Sequence, residues 1–253
     1  MFCVLEIKPY ATRPFFRRLF SKKANPIIDK VAVRGGAFFY KVTVQMDKDG
    51  YADLSFLPLA VGAASQRILP CGEILQNLPT PLRLYTPRVF PTTLFLNTAR
   101  AFLQKNRAQF RNASLGIVDP NGVLQNVVCD FVPFVKSMCI FCENTVSYET
   151  VQSEILSANG LSVILCDKID SLKGCDILLA PFSRTVNGKI GTLTVLHGGK
   201  TVLAGEGVSL PSEYEARRPA QTDALLFATA LYECCNALDL QEMQYEKLVP
   251  VPQ

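Results

Sequence analysis

The sequence predicts an α/β protein. A β-rich, antiparallel N-terminal part is followed by a mostly parallel sheet with flanking helices and then by a C-terminal hairpin and helix. Short apolar runs dominate the first 93 residues, whereas apolar runs alternate with helical patterns from residue 94 onwards. The last two apolar runs are separated by Gly198 and Gly199, which is typical of a hairpin turn. We therefore expect two domains, residues 1–93 and residues 94–253.

The N-terminal part contains runs typical of strands, separated by turn-forming residues. AFFYKVTVQM and YADLSFLPLAV are joined by Asp47-Lys48-Asp49-Gly50, and this arrangement predicts a β-hairpin. Five prolines between residues 68 and 93 exclude a long helix there, because proline lacks the N–H that a helix interior needs. Short strands joined by irregular turns are expected.

The alternating part begins with a helix predicted near residues 94–110. Strands are predicted at ASLGIVD, MCIFC, LSVILCD and DILLAP, and helices at PNGVLQNVVCDF and SYETVQSEILSANG, the latter ending at Asn159-Gly160. This order implies right-handed βαβ units. The closing helix, TDALLFATALYECCNAL, is expected to be capped by Thr222 or Asp223.

Length and composition limit the classes of protein. The chain has 253 residues, 49% of them hydrophobic, which is enough for a substantial core. No apolar run approaches the roughly 18–20 residues that a membrane-spanning helix needs. The N-terminus lacks the apolar region of a signal peptide, so a cytoplasmic protein without a membrane span is expected.

Charge is distributed unevenly along the chain. Residues 1–111 contain 17 Lys and Arg against 6 Asp and Glu, a net charge of +11, whereas residues 112–253 contain 9 against 16, a net charge of −7. Such asymmetry indicates an anionic partner for the first half, or attraction between the halves within one chain or between copies. The basic residues are scattered, which favours internal attraction or self-association over a nucleic-acid partner. The basic and aromatic segment at 13–23 is interpreted as docking on the β-rich part.

The nine cysteines are interpreted as reduced core residues, dispersed by their positions on strands and helices. Cys139 and Cys142 form a C-x-x-C motif, but side chains alternate along a strand, so the two thiols are expected to point to opposite faces. The only histidine, His197, is far from them in the sequence. No metal site is therefore expected.

The order of elements from residue 94 to 181 resembles the nucleotide-binding halves of many α/β enzymes and is Rossmann-like. MCIFC is followed by a turn, a helix and a strand ending at Asp167, about where a ribose-binding acid is found in such folds. The turn at 143–148 reads ENTVSY, and it lacks the glycines that let the backbone approach a pyrophosphate. Ser147 is interpreted as a helix N-cap. The resemblance is one of architecture, and no dinucleotide and no other cofactor is expected.

The sequence thus predicts that a small polar ligand binds at the carboxyl ends of the parallel strands. The candidate residues there are polar side chains that follow predicted strands: Asp119, Asn144, Thr145, Ser147 and Asp167. Two arginines before the closing helix form a second candidate, a clamp for a carboxylate or phosphate: Arg217 and Arg218. Solvated loop charge is the alternative interpretation of this pair.

Catalysis is not expected from the motifs. The sequence has no G-x-S-x-G, P-loop, H-E-x-x-H or EF-hand pattern, and its only histidine, His197, lies in the predicted hairpin turn. Two alternatives to ligand binding stay open. One is a non-enzymatic assembly protein with charge-polarised halves, and the other is an enzyme of nucleotide or amino-acid chemistry. An open polar cleft beside Asp119, Asn144 and Asp167 would favour ligand binding, whereas a filled edge with an exposed apolar patch would favour assembly.

Overall fold

The computed structural model describes residues 1–10, 25–72, 78–185, 190–196, 199–240 and 243–251. The chain forms two compact units. The first unit comprises Met1–Phe90 and Val208–Leu240, and the second comprises Pro91–Gly207 and Gln241–Gln253. The basic and aromatic segment at 13–23 and the histidine of the hairpin turn lie outside the described residues. Within the described ranges, no helix is long and apolar enough to cross a membrane.

The described secondary structure comprises strands, α-helices and short 3₁₀ turns. The strands are β1 (Cys3–Lys8), β2 (Ile27–Ala32), β3 (Phe38–Gln45), β4 (Ile68–Cys71), β5 (Ser114–Val118), β6 (Ser137–Phe141), β7 (Val163–Cys166), β8 (Ile177–Arg184), β9 (Ile190–Val195), β10 (Thr201–Val208) and β11 (Tyr245–Pro250). The helices are α1 (Leu57–Val61), α2 (Phe90–Lys105), α3 (Arg107–Phe110), α4 (Gln125–Val128), α5 (Glu149–Asn159), α6 (Ser212–Glu215) and α7 (Ala224–Cys235). The predicted α/β class is confirmed.

The first unit contains a four-stranded sheet of order β2-β3-β1-β4. β1 runs parallel to both β3 and β4, and only β2 and β3 are antiparallel. The prediction of an antiparallel N-terminal part is therefore wrong in this respect. The expected hairpin partner of β3 is not a strand, because the chain after the Asp47–Gly50 turn forms α1, with Pro58 in its first turn, and so reaches β4 in the parallel direction.

Both faces of the four-stranded sheet are covered by apolar side chains. One face packs against α1 through a cluster of buried residues: Cys3, Leu5, Val42, Val44, Leu54, Leu57, Val61, Ala64, Ile68 and Leu82. On the other face Phe2 and Phe39 stack with ring centroids 5.0 Å apart. Phe227 of α7 meets both rings edge-on, at 5.9 and 5.4 Å. This packing explains why residues 208–240 belong to the first unit. The expected division into domains 1–93 and 94–253 stays a prediction.

The second unit contains a mixed seven-stranded sheet of order β11-β10-β9-β8-β5-β6-β7. Four adjacent strands, β8, β5, β6 and β7, run parallel to one another. β9 pairs antiparallel with β8 and β10. Numbered by appearance, the parallel strands have the order 3-2-1-4, which is the Rossmann order. The four predicted parallel strands and the β9–β10 hairpin are confirmed, whereas β11 was not predicted.

The helices of the second unit follow the predictions in part. The helix predicted at 94–110 is present as α2 and α3, and α5 ends as predicted at Gly160, whose φ of 65° suits a residue without a Cβ. The helix predicted over PNGVLQNVVCDF is only the four residues of α4, followed by a 3₁₀ turn that contains Pro133. Proline there supplies no N–H, so the helix does not continue.

Two carboxylates of α7, in the first unit, accept hydrogen bonds from backbone amides. Asp223 is the N-cap of α7, as predicted, and its Oδ1 accepts from the Leu226 amide at 2.7 Å. Further along α7, Glu233 accepts a hydrogen bond from the Tyr85 hydroxyl at 2.7 Å. It also accepts from three consecutive backbone amides, those of Arg88, Val89 and Phe90, at 2.8–3.2 Å.

These contacts set the ionisation of Glu233. Partial burial opposes the charged form, but the hydrogen bonds from Tyr85 and from the three amides outweigh that effect and hold the pKa of Glu233 below its usual value. Burial, reinforced by the neighbouring carboxylate, raises the pKa of Tyr85. The pair is therefore an ionised acceptor and a protonated donor at neutral pH. It ties α7 to residues 85–90, which lie almost 150 positions away in the sequence.

We expect Glu233→Gln to lower the free energy of unfolding at pH 7 by about 1–3 kcal/mol, because the amide group cannot accept the bonds that the second carboxylate oxygen accepts. Since the folded-state pKa is depressed, the stabilisation by the wild-type carboxylate is complete above the unfolded value of about 4.5 and is lost as the pH falls through the folded value. Urea denaturation at several pH values should show the difference between wild type and variant shrinking below about pH 4.5. The exposed Glu154→Gln serves as control, and a pH-independent difference would contradict the assignment.

Candidate functional site

The carboxyl ends of β5, β6 and β7 meet at one edge of the second unit, as expected for parallel strands. Backbone hydrogen bonds connect the residues that follow these strands: Asp119 N to Phe141 O at 3.0 Å, Cys142 N to Cys166 O at 3.0 Å, and Glu143 N to Pro120 O at 3.1 Å. Five of the seven candidate residues follow these strand ends. We call this region the carboxyl edge.

Asp119 is a charged-type side chain at this edge that is fully removed from solvent. Its Oδ2 accepts hydrogen bonds from the Leu124 amide at 2.8 Å and from the Tyr148 hydroxyl at 2.5 Å. Its Oδ1 is also buried and has no hydrogen-bond partner among the described residues. Since buried polar atoms are generally satisfied, this oxygen is the most unusual polar atom of the edge.

Tyr148 holds the Asp119 carboxylate from the start of α5. Its side chain is completely buried, and burial raises the pKa of the phenol, with the hydrogen bond to Asp119 and the charge of that carboxylate adding to the effect. The phenol is therefore protonated over the whole physiological pH range and acts as a donor. Its role at the edge is to fix the Asp119 side chain.

Ser147 does not cap α5, so the prediction of its capping role is wrong. Its hydroxyl donates to the carbonyl oxygen of Asn144 at 2.7 Å, within a 3₁₀ turn, and Tyr148 occupies the N-cap position. The turn packs closely on Gly122: a Cβ added to that glycine would lie 2.5 Å from Ser147 Oγ. Gly122 also has a φ of 66°, so both space and conformation require glycine here.

The remaining candidates at the edge point to solvent. Asn144 and Asp167 are exposed and Thr145 is half-buried. Within the part of the chain that the structure describes, these three side chains make no hydrogen bond or ion pair. The carboxyl edge therefore combines a hydrogen-bonded interior, around Asp119 and Ser147, with an accessible polar rim.

Arg217 and Arg218 belong to the first unit and do not form a joint clamp in the structure. The Arg218 guanidinium pairs with the Glu215 carboxylate and donates to the Thr222 carbonyl oxygen at 2.7 Å. The Arg217 guanidinium donates to the carbonyl oxygen of Ala32. Each arginine thus donates to a backbone carbonyl group, and binding of a ligand by the pair stays a prediction.

Strand order corrects the comparison with nucleotide-binding folds. The sequence suggested β6 as the first strand of the unit, but the structure gives that position to β5, beside the point where the strand order reverses. The turn equivalent to the phosphate-binding loop is therefore 119–124, and the acid after the second strand is Glu143 instead of Asp167. This turn contains a single glycine and a buried carboxylate, and α4 after it has only four residues.

Sequence reasoning missed Tyr148, Gly122 and Glu143 as residues of this edge. The turn sequence DPNG was the available signal for Gly122.

The cysteines are all free thiols, but they are not all dispersed as the sequence suggested. Cys139 and Cys142 do have different neighbours: Cys142 Sγ lies 3.2 Å from the Asn144 carbonyl oxygen, whereas Cys139 Sγ lies 3.8 Å from Cys166 Sγ. Cys175 belongs to the same cluster as Cys139. Burial, with the neighbouring thiols, raises the pKa of Cys139 to about 12, so it is a poor nucleophile. Among the described residues, no three potential ligands are arranged for a metal ion.

Comparison of the chain with protein-family models gives no match, and comparison with curated proteins gives none either. The geometry of the carboxyl edge is therefore the basis for any functional conclusion.

We expect Tyr148→Phe to lower the free energy of unfolding by about 1–3 kcal/mol, because it removes one of the two hydrogen bonds to a buried carboxylate oxygen. Chemical denaturation followed by circular dichroism measures this loss. Tyr51→Phe is the matched control, since Tyr51 is 65% exposed and should tolerate the change. Equal stability of the two variants would show that the phenol does not support Asp119.

Proposed function

We propose that the protein binds a small polar ligand at the carboxyl edge of the second unit, without a dinucleotide cofactor and without catalysing a reaction. The observation that carries this proposal is the unpartnered, buried Oδ1 of Asp119 at the end of β5. In open α/β sheets, ligands bind outside the carboxyl ends of the strands where the strand order reverses, and β5 is the strand at that position. A donor group of a ligand would satisfy this oxygen, and because Asp119 is fully buried the turn at 119–124 would have to open to admit that group.

The residues of the edge favour a ligand that presents hydrogen-bond donors. Asp119, Glu143 and Asp167 follow three neighbouring strands and supply carboxylate oxygens, and Asn144 and Thr145 add neutral polar groups. A carboxylate in the position of a phosphate-binding loop repels phosphate. An amine or a polyhydroxylated compound fits these groups better than a nucleotide does.

The turn at 119–124 also argues against a dinucleotide. Pyrophosphate binding relies on glycines that open the backbone and on the N-terminus of a following helix. Here Gly122 is already in contact with Ser147, and α4 is too short to contribute a strong dipole. We expect no stabilisation of the protein by NAD or NADP.

Asp119→Asn tests the proposal directly. The asparagine oxygen retains the two bonds made to Oδ2, while an NH₂ group replaces the unpartnered Oδ1, so the fold should be kept and the ligand lost. In a thermal-shift screen of amines, amino acids, polyols and nucleosides, a ligand at 100 times its Kd should stabilise the wild type by about 2.7 kcal/mol, or several degrees.

Asp49→Asn is the control, because it removes the same charge from an exposed side chain of the first unit. A ligand that stabilises the wild type and the control but not Asp119→Asn supports the proposal. A shift with millimolar NAD or NADP, or a ligand that stabilises all three proteins equally, contradicts it.

Self-association through the same edge is the second candidate function. Two apolar side chains project from it, Val123 at 62% and Val146 at 66% exposure, and their neighbours Gly122 and Ser147 are in contact. The interior of the edge is filled by the Asp119 and Ser147 hydrogen bonds, which is the arrangement expected of an assembly surface.

If the edge is an interface between copies, Val146→Lys should shift the protein towards monomer, because a charge is costly to bury without a partner. Sedimentation velocity measures the change. Leu59→Lys, at a site 94% exposed in the first unit, should leave the oligomeric state unaltered. A wild type that is monomeric at every concentration and salt level excludes this second function.

A further inference from the structure

The first unit has its own cavity, at the carboxyl ends of its parallel strands. The cavity has a volume of about 470 Å³. Ile7 and Pro9 line it at the end of β1, Met46 follows β3, Cys71 ends β4 and Gly72 follows it. Because β1 runs parallel to both β3 and β4, their carboxyl ends meet here, in the position where α/β sheets bind ligands.

The wall of the cavity is apolar and continuous with the core. Leu5 and Ile68 line the cavity and also belong to the buried cluster beneath α1, and Ile7 and Leu78 pack against that cluster. The described residues that line the cavity are Leu5, Ile7, Pro9, Met46, Ile68, Pro70, Cys71, Gly72, Leu78, Leu84 and Gln221. Among the described residues that line it, none carries a formal charge at neutral pH, so a charged ligand would lose its hydration there without compensation.

Among the described residues, one polar side chain lines the cavity, that of Gln221. Its backbone carbonyl accepts from the Gly72 amide at 3.2 Å, which holds residue 221 against the end of β4. A Cβ on Gly72 would lie 2.8 Å from Gln221 Oε1, so the absence of a side chain at Gly72, whose φ is 90°, admits the amide. The side-chain amide of Gln221 makes no hydrogen bond with the described residues, and it therefore offers an NH₂ donor group and a carbonyl acceptor to a ligand.

The cavity is larger than the voids that imperfect packing leaves in a protein interior. Protein interiors hold few voids larger than a water molecule, whereas ligand pockets usually measure roughly 300–1,000 Å³ and combine apolar walls with a few polar groups. This cavity has that size and that composition.

We propose that this cavity is a binding site for an uncharged, mainly apolar small molecule that hydrogen-bonds through one group to the Gln221 amide. The site is independent of the carboxyl edge of the second unit and takes a different chemical class of ligand.

Methyl NMR on the full chain, with 1-naphthol and 1-methylnaphthalene as probes, tests the proposal. The two probes have nearly the same shape, and the hydroxyl group of 1-naphthol is replaced by a methyl group in 1-methylnaphthalene. Both are expected to shift the methyl resonances of Ile7, Met46, Ile68 and Leu78 saturably, and to leave the methyls of the second unit unshifted. Shifts that do not saturate, or that spread over both units, overturn the proposal.

Filling the cavity should abolish binding. Leu84→Trp places a large ring into it from a residue 38% exposed, and it should weaken binding of both probes at least about 10-fold, because the ring occupies the space of the ligand. Leu59→Trp is the matched control at a 94% exposed site of the same unit and should leave the affinity unchanged. If Leu84→Trp does not fold, Met46→Trp fills the same cavity from another wall. Equal affinity in the filled and control variants overturns the assignment.

Gln221→Leu tests the polar anchor. It should weaken binding of 1-naphthol by roughly 2–10-fold, the contribution of one neutral hydrogen bond, and leave 1-methylnaphthalene unaffected. A loss of affinity that is the same for both probes would show that the side chain only shapes the cavity and would overturn its assigned role.

Discussion

Parallel strands bring all of their carboxyl ends to one edge of a sheet, and both candidate sites of this protein depend on that constraint. In the second unit it gathers Asp119, Asn144 and Asp167 from three separate segments. In the first unit it gathers the residues after β1, β3 and β4 around an apolar cavity. The two edges use the same backbone geometry with opposite chemistry, carboxylates and amides in one unit and aliphatic side chains in the other. Under the two proposals, ligand class is set by the residues that follow the strands.

The sequence was most informative where a local pattern determines the structure. Continuous apolar runs identified β5 to β8, and Gly160 and Asp223 marked helix ends because their conformational and capping preferences are local. The carboxyl edge was located for the same reason. The contacts inside it were not, since the pairing of Tyr148 with Asp119 spans 29 positions and has no periodic signal. Likewise, residues Asp47–Gly50 are typical of a hairpin turn, but a hairpin also needs a second strand after the turn. Here the helix α1 follows instead.

Charge polarity along the sequence takes on a different meaning in the folded chain. The acidic residues of 208–240 belong to the same unit as the basic N-terminal residues, so the first unit has a net charge of +4 and the second a net charge of zero. Arg34 and Glu213, from opposite halves of the sequence, form an ion pair at 2.9 Å within the first unit. The fold therefore offsets part of the asymmetry within the first unit, which keeps the whole net charge of the chain, and attraction between the halves stays a prediction.

The sequence discontinuity of the first unit affects how the protein is made. Phe2 and Phe39 leave the ribosome early, but Phe227, which covers them, is synthesised 188 residues after Phe39. At about 5–20 residues per second, that delay is roughly 10–40 s. During this interval the aromatic face of the nascent sheet is uncovered while the strands β5 to β10 emerge and pair. Chaperones that bind exposed aromatic residues have their longest opportunity during this period, and a translational pause before residue 227 would prolong it.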